Sequence, residues 1–199
     1  MNTSALLVID AQKIYTTKDS EMYCKDSPGT IKRVNSLIDL YQESRMPIIF
    51  IRHIHNNDGS DLGRMFDFSG EAEEDFNFKS GSDEVEYDPG LHRPRQLEEV
   101  IKNRYSAFVG TDLENLLRKK KVTTVTICGF MTNFCCDSTA RDAHDRDFFV
   151  DFISDATGTP GTEHLGEKEI RKIVAELLGT GYARIHTTKK YLSAWKKQG

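Results

Sequence analysis

The sequence predicts an α/β fold: a three-layer α/β/α domain on a doubly wound, six-stranded, mostly parallel sheet in the order 3-2-1-4-5-6. Three observations predict it. Short apolar runs alternate along the chain with stretches whose apolar residues recur every three or four positions. The runs are apolar almost throughout, as strands buried on both faces of a parallel sheet read. Finally, 199 residues, 38% hydrophobic and 29% charged, suit one soluble domain spanning residues 1–199, with a long loop at about 55–96.

Residues 5–9 (Ala-Leu-Leu-Val-Ile) form the first run and end at Asp10. A helix over 28–45 follows, with Ser27 as N-cap, Pro28 at its first position, and Ile31, Val34, Leu37, Ile38 and Tyr41 on one face. Residues 47–51 are the second strand, parallel to the first by the right-handed crossover rule. Residues 55–96 break the pattern with glycines, prolines, acids and Phe66, Phe68, Phe76 and Phe78. So long an irregular stretch is expected to shape a site, or else to be stapled to the body by its phenylalanines. A short run at 98–101 and a helix over 111–120 come next, then a strand at 122–128 and its helix over 132–145. A strand at 148–153, a helix over 163–178, a strand at 182–186 and a terminal helix over 189–197 complete the alternation.

The net charge of −4 gives no global attraction to nucleic acid or to anionic membrane, so a small-molecule partner is expected. No run approaches the roughly 20 apolar residues of a membrane helix. Residues 1–4 lead into the first strand without a basic segment or cleavage site, so no secretion signal is expected. Four cysteines, Cys24, Cys128, Cys135 and Cys136, are too few and too uneven for a disulfide framework; a reducing cytoplasm is the expected location.

In a doubly wound sheet ligands bind at the carboxyl ends of the strands, near the point where strand order reverses. Three complementary side chains fall there: Asp10 after the first strand, Lys102 after the third run, and Cys135 in the first turn of the helix after the fourth. A helix N-terminus is expected to lower the thiol pKa, and its unpaired amides suit an oxyanion. Asp10 is then the base that takes the thiol proton and returns it to a leaving amine, and Lys102 balances the two charges. Strand spacing puts the first and third strands about 10 Å apart, so Lys102 has to reach inward along its flexible stem. The turn after the first strand, Asp10-Ala-Gln-Lys, has no Gly-rich phosphate cradle, which excludes a dinucleotide site.

Three blocks in order resemble the isochorismatase-like cysteine hydrolases: Asp10-Ala-Gln12 with Tyr15; Lys102-Asn-Arg-Tyr-Ser-Ala-Phe108 through Leu113; and Gly129-Phe-Met-Thr132-Asn-Phe-Cys135 through Ala143. Ser154-Asp-Ala156 after the fifth strand extends the likeness. The resemblance implies that Asp10, Lys102 and Cys135 are the catalytic triad. It also implies that the Phe130–Met131 peptide is cis and that the amides of Met131 and Cys135 form the oxyanion hole. Cys136 stands where the family commonly has valine, and is expected to pack. Gln12, Tyr15, Tyr105 and Phe134 are candidate substrate contacts, and Arg52 or His55 a candidate partner for a carboxylate. Nicotinamidases in this family carry an Asp-x-His pair and a further histidine as metal ligands; here the stretch reads Arg52-His53-Ile-His55. No metal and no cofactor is therefore expected.

The expected activity is hydrolysis of a small amide, ureide or related C–N bond through a thioester on Cys135. Two alternatives stand beside it: vinyl ether hydrolysis of isochorismatase type with Asp10 as acid, and a non-enzymatic redox or ligand-binding module using Cys135 and Cys136. The resemblance also implies a homo-oligomer, dimer or tetramer.

Overall fold

The apolar runs form β1 (Thr3–Ile9), β2 (Ile48–His53), β3 (Glu99–Lys102), β4 (Val122–Phe130), β5 (Phe149–Gly158) and β6 (Arg184–His186) in a computed structural model that describes residues 3–66 and 76–195. Phe68 and the last two residues of the expected terminal helix, 196 and 197, lie outside the described residues. All adjacent strands pair in parallel, in the order β3-β2-β1-β4-β5-β6. Order therefore reverses between β1 and β4, which sets a crevice beyond their carboxyl ends.

The helices are α1 (Lys13–Thr16), α2 (Ser27–Glu43), α3 (Leu113–Lys119), α4 (Asp137–Asp145), α5 (Glu167–Gly179) and α6 (Thr188–Trp195). Alternation along β1 explains the three layers. Leu7 and Ile9 enter one core with Leu113 and Leu117 of α3, Ala140 and Ala143 of α4, and Ile170 and Val174 of α5. Leu6 and Val8 enter the opposite core with Ile31, Val34, Leu37 and Ile38 of α2 and Tyr191 of α6. Both faces of the sheet are covered, which is why residues 5–9 of β1 and 48–51 of β2 are apolar without a break.

Local departures from the expected elements have physical causes. Asp26, rather than Ser27, is the N-cap of α2, and Pro28 still falls within the first turn. Thr132 does not cap one continuous helix. Residues Thr132–Cys136 form a π turn ahead of α4, closed by the bond from Cys136 N to Met131 O (3.0 Å), while the Thr132 hydroxyl donates to Thr157 Oγ1 (2.9 Å). Ser154 to Ala156, expected after strand five, lies within β5. Between the Ile127–Phe152 and Gly129–Thr157 pairs two residues of β4 pass while five of β5 do, so β5 carries a bulge. The long loop holds a 3₁₀ turn (Asp83–Val85) and returns to the body through isolated bridges, Gln12 with Tyr87 and His55 with Lys79.

Candidate active site

The reversal point gathers the three expected side chains. Asp10 is the first residue beyond β1, its amide still bonded to Ile51 O (3.0 Å), and its φ of 44° turns the chain sharply out of the sheet. Left-handed backbone at a non-glycine residue is uncommon and costs energy, which the surrounding ladder holds in place. Lys102 ends β3 in register with His53 of β2. Its stem spans the intervening strand, and Nζ reaches Asp10 Oδ2 at 2.8 Å, Cys135 Sγ at 3.2 Å and Arg104 O at 3.0 Å. The Asp10 contact is an ion pair, while Cys135 Sγ and Arg104 O accept hydrogen bonds from the same ammonium. Cys135 sits in the π turn, 2% exposed, while Asp10 is wholly buried.

Gly129 makes the close approach possible. With φ at +115°, its position would put a Cβ 1.9 Å from Ile9 O, so only glycine lets β4 run this near β1. The Phe130–Met131 peptide beyond it is cis.

Electrostatics inside the cluster are dominated by desolvation. Burial pushes the Asp10 carboxyl up from its ordinary range against the pull of Lys102. Burial pulls Lys102 down, but the charges of Asp10 and Cys135 more than offset it, leaving the ammonium more firmly protonated than usual. The Cys135 thiol is pushed up to about 12, because burial outweighs the neighbouring ammonium. This corrects the expectation of a thiol acidified by a helix N-terminus: the π turn buries the sulfur, and burial disfavours the thiolate. The arrangement sets a thiol and an ammonium in contact with a carboxyl group whose proton affinity burial has raised.

Beside the thiol is a cavity of about 200 Å³ walled by Tyr15, Phe78, Tyr105, Met131, Phe134 and His53, with Met22 and Met65 at its margin. Tyr15 is buried and stacks on Phe130 (5.5 Å between ring centres), whereas Tyr105 and Phe134 are half-exposed and lie against each other at 5.0 Å. Gln12 takes a different place from the substrate contact expected of it. Its amide nitrogen donates to His53 O (3.0 Å) and Val85 O (2.9 Å), and its oxygen accepts from His53 N (2.9 Å). It ties the long loop to β2. Arg52 is likewise engaged, its guanidinium bonded to both oxygens of Glu99 at 3.0 and 3.1 Å. Cys136 is fully buried in the core.

Sequence reasoning left His53 out of the site. Its spacing from His55 was the available signal; what the sequence did not show is that Phe78 of the long loop stacks on it (4.3 Å) in the wall of the cavity that Cys135 also lines. Among the described residues one set of three, Asp10, His53 and Cys135, brings metal-capable atoms within 4.8 Å of one another. This set does not fit a cation, since the Lys102 ammonium already touches two of the three. His53 and His55 face each other Nε2 to Nε2 at 2.9 Å, bonded to each other instead of converging on a common point.

A buried cysteine, aspartate and lysine in contact at the switch point of a doubly wound sheet form a candidate hydrolase site. A family model described as the isochorismatase domain matches residues 4–181, and the chain belongs to that family of hydrolases. It is 33% identical to nicotinamidase 3 of Arabidopsis thaliana over 157 residues, 78% of this chain and 73% of the relative. A 72-residue stretch, 36% of the chain, is 39% identical to a ureidoacrylate amidohydrolase of Methylorubrum extorquens, of which it covers 29%. Among solved structures, a cysteine hydrolase from Pseudomonas syringae pv. phaseolicola superposes with a TM-score of 0.86 at 27% identity, covering 96% of this chain and 91% of that one.

Proposed function

We propose that this protein hydrolyses a small amide or ureide by covalent catalysis on Cys135, without a metal. The observation that carries the reading is the buried contact set in which Lys102 Nζ touches both Asp10 (2.8 Å) and Cys135 (3.2 Å), with Cys135 lining the cavity. Cys135 Sγ attacks the carbonyl carbon as its proton passes to Asp10. The C–N bond then breaks as Asp10 returns that proton to the leaving nitrogen, and water releases the acid from the thioester by the reverse route. Amides at the head of the π turn, those of Met131 and Cys135, are assigned to the oxyanion. Lys102 stays protonated throughout and keeps the changing charge of its two neighbours balanced. The names of the two curated relatives, one an amidase of nicotinamide and the other of ureidoacrylate, support C–N chemistry, and the cavity volume suits a small planar substrate.

One observation favours a second reading. Burial raises the Asp10 carboxyl, which suits an acid that protonates a vinyl ether in isochorismatase-type cleavage without the thiol. Ammonia release from a panel of primary amides and ureides separates the two. Cys135→Ala abolishes it on the amidase reading. Ether cleavage that survives Cys135→Ala and is lost in Asp10→Asn supports the second reading and overturns the first.

A further inference from the structure

The geometry points to His53 as the residue that selects substrates by the N–H they offer: its Nδ1 accepts a hydrogen bond from the scissile nitrogen, held in that tautomer by His55 and Asp61. This deepens the amidase reading and rests on it.

The chain of hydrogen bonds starts at Asp61. Burial raises its carboxyl, but bonds from the Asn103 side chain (3.2 Å) and the Asn56 amide (3.0 Å), together with His55, bring it below its ordinary range, so it is ionised and only accepts. His55 Nδ1 lies 3.2 Å from Asp61 Oδ1 and must therefore be the donor. Burial lowers the pKa of His55 and, with Lys102 beside it, of His53 as well; both rings are neutral. A neutral His55 with its proton on Nδ1 has a bare Nε2. That nitrogen, 2.9 Å from His53 Nε2, accepts the proton His53 carries there. His53 Nδ1 is thereby left bare, and it is buried with no hydrogen-bond partner. A buried acceptor without a donor is rare in native proteins and calls for one from outside the chain.

The ring lines the cavity, is 1% exposed and is clamped by Phe78. A His53 nitrogen, an Asp10 oxygen and Cys135 Sγ lie within 4.8 Å of one another. The scissile nitrogen of an amide bound at Cys135 falls within this group, between the His53 ring and Asp10. Such a nitrogen gives one N–H to His53 Nδ1, and its lone pair is then turned towards the proton on Asp10. When the C–N bond breaks, that proton completes the leaving ammonia or amine. His53 thus touches substrate, while His55 and Asp61 act through it as positioning residues. An ester oxygen has no hydrogen to give, so the relay favours primary amides and ureides over esters of the same acid.

Imidazole nitrogen-15 NMR on the full-length protein at pH 7 reads the tautomers directly. The proposal expects His53 protonated at Nε2 and bare at Nδ1, and His55 protonated at Nδ1; a proton on His53 Nδ1 overturns it. Activity is read on paired probes, nicotinamide with methyl nicotinate and benzamide with methyl benzoate. Asp61→Asn should lower the amide-to-ester ratio of kcat/KM at least tenfold, and Asp61→Glu should largely restore it. Equal losses on both probes, or an unchanged ratio, contradict the relay. If Cys135→Ala leaves amide turnover intact, covalent catalysis on Cys135 fails instead, and the tautomer measurement still stands as a separate result.

Discussion

At the scale of single residues the site depends on a buried ion pair. Lys102 and Asp10 are both without exposed side-chain surface, so each makes the other's charge tolerable. Lys102→Met should cost about 3–5 kcal/mol in chemical denaturation, because it strands the carboxylate, and it should lower kcat/KM by at least a hundredfold. Adding Asp10→Asn should recover most of the lost stability and none of the activity; a double variant no more stable than Lys102→Met contradicts the pairing. Asp10 and Cys135 were legible in the sequence because each ends or follows an apolar run at the edge where ligands bind. Lys102 needed the family likeness, since its reach across β2 depends on its stem and not on its place in the chain. Gln12 was misread because side chains that bond backbone leave no periodic trace. The direction of the thiol shift was missed for a related reason: position in a turn is visible in sequence, and burial of the sulfur is not.

Among the elements, the close passage of β4 beside β1 is what brings thiol and carboxylate together. Gly129→Ala tests it. The added methyl meets Ile9 O at 1.9 Å and φ is in the left-handed half of the map, so the strand must move. We expect a loss of roughly 3 kcal/mol or more, read as a lowered Tm, with activity falling further than stability explains. A variant of unchanged Tm would show that β4 tolerates displacement. The segment from Lys102 to Leu113 is fixed to α4 by Ser106 Oγ, which donates to Asp142 (2.6 Å), and by the Ala107 amide, which donates to Thr139 (3.0 Å). These bonds explain why the second and third sequence blocks act as one unit. The strands and the two cores followed from apolar patterning and the strand order from the doubly wound class, whereas the π turn and the β5 bulge followed from neither. Both come from register across the sheet, which no local pattern encodes.

For the whole molecule, the buried cluster couples stability to pH. The Cys135 thiol is raised in the folded protein from an ordinary 9.0 to about 12, so the folded state holds its proton more tightly than the unfolded one. Its contribution is fully present below pH 9 and is lost as pH rises towards 12; Lys102, raised from 10.5, adds to the loss at the alkaline end. Denaturation curves between pH 8 and 11 should fall less steeply for Cys135→Ala than for the native chain; parallel curves would place the thiol outside this coupling. The long loop is the part of the molecule least legible in the sequence. Its composition marked it as irregular, but the way Phe78 covers His53 and Gln12 ties Val85 to β2 arises only in three dimensions. The proposed activity turns on a covalent bond to one sulfur. Intact-mass measurement after rapid quench with a panel of primary amides and ureides tests this most directly. A mass gain equal to the acyl group, mapped to Cys135 and missing in Cys135→Ala, is the predicted result; turnover of the same substrates by Cys135→Ala at the native rate would contradict it.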